Sequence, residues 1–228
     1  KNINNVLKKK RVSFASNLAL PKNPLFSQIK KKIEKKNIYY IEADYLWGRK
    51  QKLFGWRSKT KNYSLTLGAT IHMLDLICWL LKSKPLSVFS KSSDKMTKNS
   101  KFKKFSFATY IFTFPKNIIV KLSADSVCVH PHYHALKIFE KNQTFISDLK
   151  RQLRITKKGI KEFSVKKMNY NYFDKKSKKN QIRGFVDSLI DNNPFPQSSK
   201  SLIDLMTACF FADLSLKRKK ELKISYLK

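Results

Sequence analysis

Between residues 105 and 165 the chain carries six short runs rich in β-branched and aromatic residues: Phe105–Phe114, Ile118–Asp125, Cys128–Phe139, Thr144–Ser147, Leu153–Thr156 and Ile160–Val165. Only polar turns separate them. Connections this short leave no room for the helical crossovers of a parallel sheet, so the pattern predicts an antiparallel meander. On either side the apolar period lengthens to that of a helix. Leu25, Ile29 and Ile33 mark one helix within Leu25–Lys36, and residues 64–81 form a second. Ile182, Phe185, Val186, Leu189 and Ile190 mark a third; Leu202, Leu205, Met206 and Phe210, beyond Pro194 and Pro196, mark a fourth. Strands bracketed by helices imply an α+β fold: an open, mostly antiparallel β-sheet with helices covering one face. Ahead of these, Val12–Leu18 and Ile38–Leu46 read as strands. The latter leads through Gly48 and Gly55 into an aromatic loop holding Trp47, Arg49, Trp56 and Arg57. Lys91–Lys104 and Asp174–Asn180 read as exposed loops, and no internal repeat is found.

At 228 residues and 42% hydrophobic content, the chain can bury a core of one large domain, or of one domain plus a fragment. Its 49 basic and 15 acidic side chains give a formal net charge of +34. A nucleic-acid binder is one reading of such an excess, but the basic residues are overwhelmingly lysine and are spread along the chain. Arginine, whose planar fork reads phosphates and guanine edges best, is scarce. A solvated lysine surface with no specific nucleic-acid partner is the expectation. Cys78, Cys128 and Cys209 are odd in number, far apart and set in apolar runs, which suits buried thiols in a cytoplasmic protein. The N-terminal stretch is too polar for a signal peptide, and Ala69–Leu81 is too short and polar for a membrane span, so no membrane partner is expected. The first residue is not methionine, which leaves open a longer chain upstream.

The segment Ser64–Leu81 is apolar on almost every side yet contains His72 and Asp75, three residues apart and therefore neighbours on a helix. Burying either group unpaired is costly, so each needs a local partner or must line a wet cavity. A histidine held by local contacts with Asp75 bonded to a backbone amide is one outcome. A shared functional pocket is the other.

Asn17-Leu-Ala-Leu-Pro21, Ile38–Arg49, Gly55-Trp-Arg57, Gly68-Ala-Thr-Ile-His-Met-Leu-Asp-Leu76, Trp79-Leu-Leu81 and Pro85-Leu-Ser-Val88 resemble, in order and spacing, the glucose-fructose oxidoreductase / inositol dehydrogenase / rhizopine catabolism (Gfo/Idh/MocA) family. The likeness continues through His134–Phe139, Gln181–Val186 and Ala212–Ser215. Its most specific element is the H-x-x-D motif of His72 and Asp75. The resemblance implies an NAD(P)-dependent oxidoreductase acting on a sugar, cyclitol or related alcohol or ketone. It implies a C-terminal α+β domain that assembles into homo-oligomers through its open sheet face, joined to an N-terminal Rossmann domain. Residues 1–36 would be the strand-helix junction left from that Rossmann domain, and residues 37–228 the substrate-binding and oligomerisation domain. His72 would be the catalytic acid/base or hydrogen-bonding group beside the substrate carbon that exchanges hydride, with Asp75 and Thr70 binding substrate. Imidazole suits proton transfer near neutral pH.

Two departures bear on that assignment. Many members carry an aspartate four residues before the histidine, where this chain has Gly68, and Thr70 replaces the usual glycine between them. The family's catalytic Glu-Lys-Pro motif is absent, since Lys8, Lys9 and Lys10 are not followed by proline. Independently of the family, a dinucleotide loop needs clustered glycines to bring backbone amides against pyrophosphate. Gly48, Gly55, Gly68, Gly159 and Gly184 are all isolated, so NAD or NADP is expected to bind a domain outside this sequence.

His130, His132 and His134 alternate along one run and would share a strand face, but Pro131 disturbs the geometry and no carboxylate or cysteine completes a metal set. No metal is expected. Trp56 and Arg57 could form an apolar platform with one cation for a polyol, or simply a packed hinge. The main reading is the substrate domain of a sugar or polyol oxidoreductase, inactive alone. The alternative is a non-catalytic dimerising scaffold derived from such an enzyme.

Overall fold

The computed structural model describes residues 5–6, 9–10, 13–129, 131–148, 151–162, 175–193, 195 and 197–227. Among the described residues nine strands form one sheet: β1 (Ile38–Leu46), β2 (Ser87–Ser93), β3 (Phe107–Phe114), β4 (Ile118–Asp125), β5 (Tyr133–Glu140), β6 (Gln143–Ser147), β7 (Gln152–Thr156), β8 (Gly159–Glu162) and β9 (Leu222–Lys223). Their spatial order is β8-β7-β6-β5-β1-β4-β3-β2-β9. The antiparallel expectation holds for every pair except β1 with β4, which run parallel. Two antiparallel meanders, β2-β3-β4 and β5-β6-β7-β8, are thus joined by β1, the earliest strand in sequence, inserted between them.

Alternation along the central strands explains the single covered face. Ile41, Ala43 and Tyr45 of β1 lie level with Val120, Leu122 and Ala124 of β4 and with Ile138, Leu136 and His134 of β5, all of them buried. On the opposite face Glu42 bonds Lys121 at 2.6 Å and Lys137 at 3.1 Å, and Tyr40 packs against Phe139.

Among the described residues four helices longer than one turn flank this sheet: α1 (Pro24–Lys32), α2 (Ile71–Leu81), α3 (Lys175–Ile190) and α4 (Ser199–Arg218). Pro24 opens α1, and the Asn23 side chain accepts from Leu25 N, satisfying one of the helix's first amides. The helix ends at Lys32, short of the expected Lys36, because Ile33 turns extended. Helix α2 is the centre of the core: Met73, Leu74, Leu76, Ile77 and Leu80 are wholly buried between sheet and helices. Burying each such side chain contributes about 1.5–3 kcal/mol. A π-helical segment, Thr66–Thr70, leads into α2. Helix α4 starts on a Ser198 cap and buries the stripe Leu202, Leu205, Ala208, Cys209, Ala212 and Ser215.

Several boundaries differ from the sequence reading. Residues 13–18, the described part of the predicted Val12–Leu18 strand, pair with no strand among the described residues. Ser16 instead bonds the side chains of Gln181 and Gln197, tying this segment to α3 and the start of α4. The run beginning at Cys128 becomes strand only from Tyr133, because Asp125 Oδ1 accepts from the amides of Val127 and Cys128 and turns the chain. Lys91–Ser93 belong to β2, and Lys175–Asn180 belong to α3, where Ser177 and Gln181 make the buried side. The apolar stripe assigned to α3 is turned outward: Ile182, Val186, Leu189 and Ile190 are exposed. His130, Pro194, Pro196 and Phe163–Val165 lie outside the described residues.

Candidate functional site

The H-x-x-D histidine sits in the first turn of α2, where the helix passes the end of β1. Its ring stacks on Tyr45, with centroids 5.7 Å apart and planes at 21°. Tyr45 lies directly across from His134 on β5. It therefore gathers three imidazoles: His72, His132 at 5.2 Å and His134 at 4.6 Å, the last edge-on. His132 and His134 are 5.1 Å apart. Burial pushes the His72 pKa down to about 4, assisted by the ammonium of Lys178 on α3. His132 falls to about 3 through burial and the charges of Arg49, His72, Lys178 and Lys52, and burial drives His134 well down too. At neutral pH all three rings are uncharged, able to donate from one nitrogen and accept at the other. Among the described residues no histidine, cysteine and carboxylate group forms a metal set.

Asp75, one turn further along α2, faces a different space. A cavity of about 690 Å³ opens where α2, α4, the start of α3 and the residues before α1 meet, and Asp75 lines it. His72 is not among the described residues of its wall. Asp75 Oδ2 is buried and accepts no hydrogen bond among the described residues. Burial raises its pKa to about 7. One helix thus directs its two polar side chains into separate surroundings, and no hydrogen bond between them is seen among the described residues.

Thr70 is fully buried, beside Tyr110. Arg57 is held by aromatic rings: its guanidinium carbon lies 4.4 Å from the Trp56 ring centre, 4.9 Å from Trp47 and 5.8 Å from Tyr63, and Nη1 donates to Lys52 O. This is a packed knot built on the loop after β1, with Trp56 60% exposed at its edge. Sequence reasoning missed Tyr45 as the organising ring. Its signal was the inward register of Ile41, Ala43 and Tyr45 on one strand face.

Gly68 explains itself by packing. A Cβ there would lie 2.1 Å from Tyr63 Oη. The Tyr63 ring fills the space that a side chain four residues before His72 would need. Near it a buried polar chain braces the π segment: Thr66 Oγ1 is within 2.8 Å of the Tyr110 hydroxyl and donates to Asp213 on α4. Helical segments with an extra residue per turn recur at functional positions.

The described glycines do not build a dinucleotide cradle. Gly159 closes the β7–β8 hairpin at φ +124, Gly184 lies within α3, Gly68 lies against Tyr63, and Gly55 precedes a single helical turn. Gly48, at φ +57, follows β1 and leads into a short 3-10 turn at Lys50–Leu53, so each described glycine stands alone and none is part of the glycine cluster at a long helix's N-terminus that pyrophosphate binding requires.

The GFO/IDH/MocA C-terminal domain profile matches residues 26–146, just over half the chain. No match to a curated protein sequence was found. Among solved structures, myo-inositol 2-dehydrogenase from Lactobacillus plantarum is similar over 97% of this chain and 68% of its own, with TM-score 0.79 and 14% identity. The scyllo-inositol dehydrogenase of Lactobacillus casei, solved with NAD(H) and scyllo-inositol, is similar over 96% and 66%, with TM-score 0.75 and 10% identity. UDP-N-acetylglucosamine 3-dehydrogenase from Acidithiobacillus ferrooxidans is similar over 95% and 66%, with TM-score 0.75 and 15% identity. The chain spans about two thirds of the length of these proteins.

Proposed function

The chain belongs to the GFO/IDH/MocA family through its C-terminal domain, and from that premise we propose that it is the substrate-binding domain of an NAD(P)-dependent oxidoreductase acting on a sugar, cyclitol or related alcohol. The observation that carries this reading is the neutral, desolvated His72 imidazole stacked on Tyr45 at the end of the central strand. Held uncharged, it can accept a hydrogen bond from a substrate hydroxyl at one ring nitrogen, while the same burial opposes full protonation of the ring. His132 and Tyr45 stand beside it to orient that hydroxyl. The isolated glycines of this chain do not supply the clustered turn that the pyrophosphate of a nicotinamide dinucleotide requires.

The cofactor belongs to a Rossmann domain, with residues 1–36 as its junction and 37–228 as the domain described above. The exposed stripe Ile182, Val186, Leu189 and Ile190 supports this: α3 also carries Lys178, the cation acting on His72, so a domain seated on the stripe would stand next to the histidine. Homo-oligomerisation uses the uncovered sheet face, where Tyr39, Phe107 and Ile111 remain exposed around the Glu42 ion pairs.

The test is turnover of a panel of inositols and sugars by the protein joined to its dinucleotide domain. His72→Ala should lower turnover by about 10²–10⁴-fold; unchanged turnover rejects the assignment. The chain alone should show no saturable NAD(H) binding by calorimetry, and clear binding overturns the separate cofactor domain. The tight fit of Tyr63 against Gly68, which fills the space a side chain at position 68 would take, favours a second reading, a non-catalytic scaffold. No turnover with an intact His72, together with dimers that persist, would select it.

A further inference from the structure

The cavity of about 690 Å³ beside α2 is walled by apolar groups of Leu18, Pro21, Trp79, Phe195, Leu205 and Ala208. Lys22, Lys82 and Lys84 also stand in its lining, with the carboxyl groups of Asp75 and Asp204. Those carboxyl groups do not balance the three lysines. Asp204 is already paired with Lys84 at 2.8 Å, and Asp75 Oδ2 and Asp204 Oδ1 have almost no accessible surface. Burial raises the Asp75 pKa to about 7, so at neutral pH that group carries only part of a charge. Lys22 and Lys82 remain, and neither makes an ion pair among the described residues. Positive charge gathers at this end of the cavity. The Lys30 ammonium, 3.4 Å over the Trp79 ring, is lowered to about 8 by burial and by the charges of Lys35 and Lys82.

We infer that this cavity binds a small carboxylate on an apolar body, the body lying against Trp79 and Leu205 and the carboxylate meeting Lys22 and Lys82. Apolar walls with a few polar groups at this volume are those of a small-molecule pocket. Ammonium groups only donate and a carboxylate only accepts, so the two match without leaving an unused partner. Lys22 is half-buried and Lys82 exposed, so the charged end stays near water while the body leaves it. A polyol, with hydroxyls all round its ring, would leave several of them unpaired against such walls. The ligand is therefore of a different class from the substrate of the His72 site, and the inference does not rest on the oxidoreductase reading.

Phenylbutyrate and phenylbutanol share a body and differ in the carboxylate, and acetate has the carboxylate without the body. Calorimetry on the full chain with all three tests the assignment. Because the net charge of +34 attracts anions everywhere, titrations run at about 0.15 M salt, which screens exposed charges beyond about 8 Å. Phenylbutyrate should bind saturably and roughly tenfold more tightly than phenylbutanol, and excess acetate should not displace it. The double variant Lys22→Gln, Lys82→Gln should abolish that preference. Lys157→Gln with Lys158→Gln, in the exposed turn between β7 and β8, should leave it intact. No saturable binding, equal binding of acid and alcohol, displacement by acetate, or a preference that survives the first double variant would each overturn the inference. Loss of the preference in the Lys157, Lys158 variant would do so too, since it would report only the lysine-rich surface. If the first double variant fails to fold, Lys82→Gln alone takes its place: it should reduce the preference at least about twofold, and an unchanged preference counts against the site.

Discussion

Gly68→Ala probes the packing that sets the helix bearing His72. The new Cβ would lie 2.1 Å from Tyr63 Oη, 2.5 Å from Cζ and 2.7 Å from Cε2, whereas carbon atoms rest about 3.5–4 Å apart. The ring must retreat by about 1 Å. It is boxed in, edge-on to Trp56 at 5.7 Å and to Phe102 at 6.0 Å, so the retreat disturbs the knot around Arg57. Overpacking of this kind costs about 1–3 kcal/mol. Alanine's better helix propensity returns about 1 kcal/mol. The net expectation is a loss of about 0–2 kcal/mol, or a fall in melting temperature of up to about 8 °C for a chain of this size. Thermal and urea unfolding of the single variant, of Tyr63→Ala and of the double variant separate the two effects. In the Tyr63→Ala background the alanine at 68 should be neutral or stabilising by up to about 1 kcal/mol. If Gly68→Ala alone stabilises the protein, or costs the same with Tyr63 removed, the steric argument is wrong.

The pH dependence of stability should show opposing contributions. Asp75, with a folded pKa of about 7 against an ordinary 3.8, contributes stability at low pH that is lost as pH rises from about 4 through 7; Asp75→Asn should remove that loss in urea titrations at pH 5 and pH 8. His72, lowered to about 4 from 6.5, acts the other way, losing stability as pH falls through that window, and His72→Gln should blunt the acid side. Ile77→Ala, at a wholly buried position in α2, should cost about 2–5 kcal/mol by urea unfolding. Glu42→Gln, on the open sheet face with its partners half-exposed, should cost about 1 kcal/mol or less by the same measure; a much larger loss would show that the face is more buried in solution than in the isolated chain.

The residue pattern alone determined the periods: Ile38–Leu46 is a strand to the residue, and the apolar run at 64–81 is helical, with a π segment at Thr66–Thr70 before Ile71–Leu81, because alternation and 3.6-residue spacing are local properties of the backbone. It also placed an imidazole and a carboxyl on that helix. It missed β2, whose Val88 and Phe89 are followed by four serine and lysine residues that read as loop. Only the tertiary structure inserted β1 between the two meanders, since strand pairing depends on contacts far apart in sequence. The same long-range packing sent His72 to the Tyr45 cluster and Asp75 to the cavity, turned the α3 stripe outward and set Tyr63 against Gly68. A helical period says which side chains share a face; what lies opposite each of them is decided by the elements that pack there.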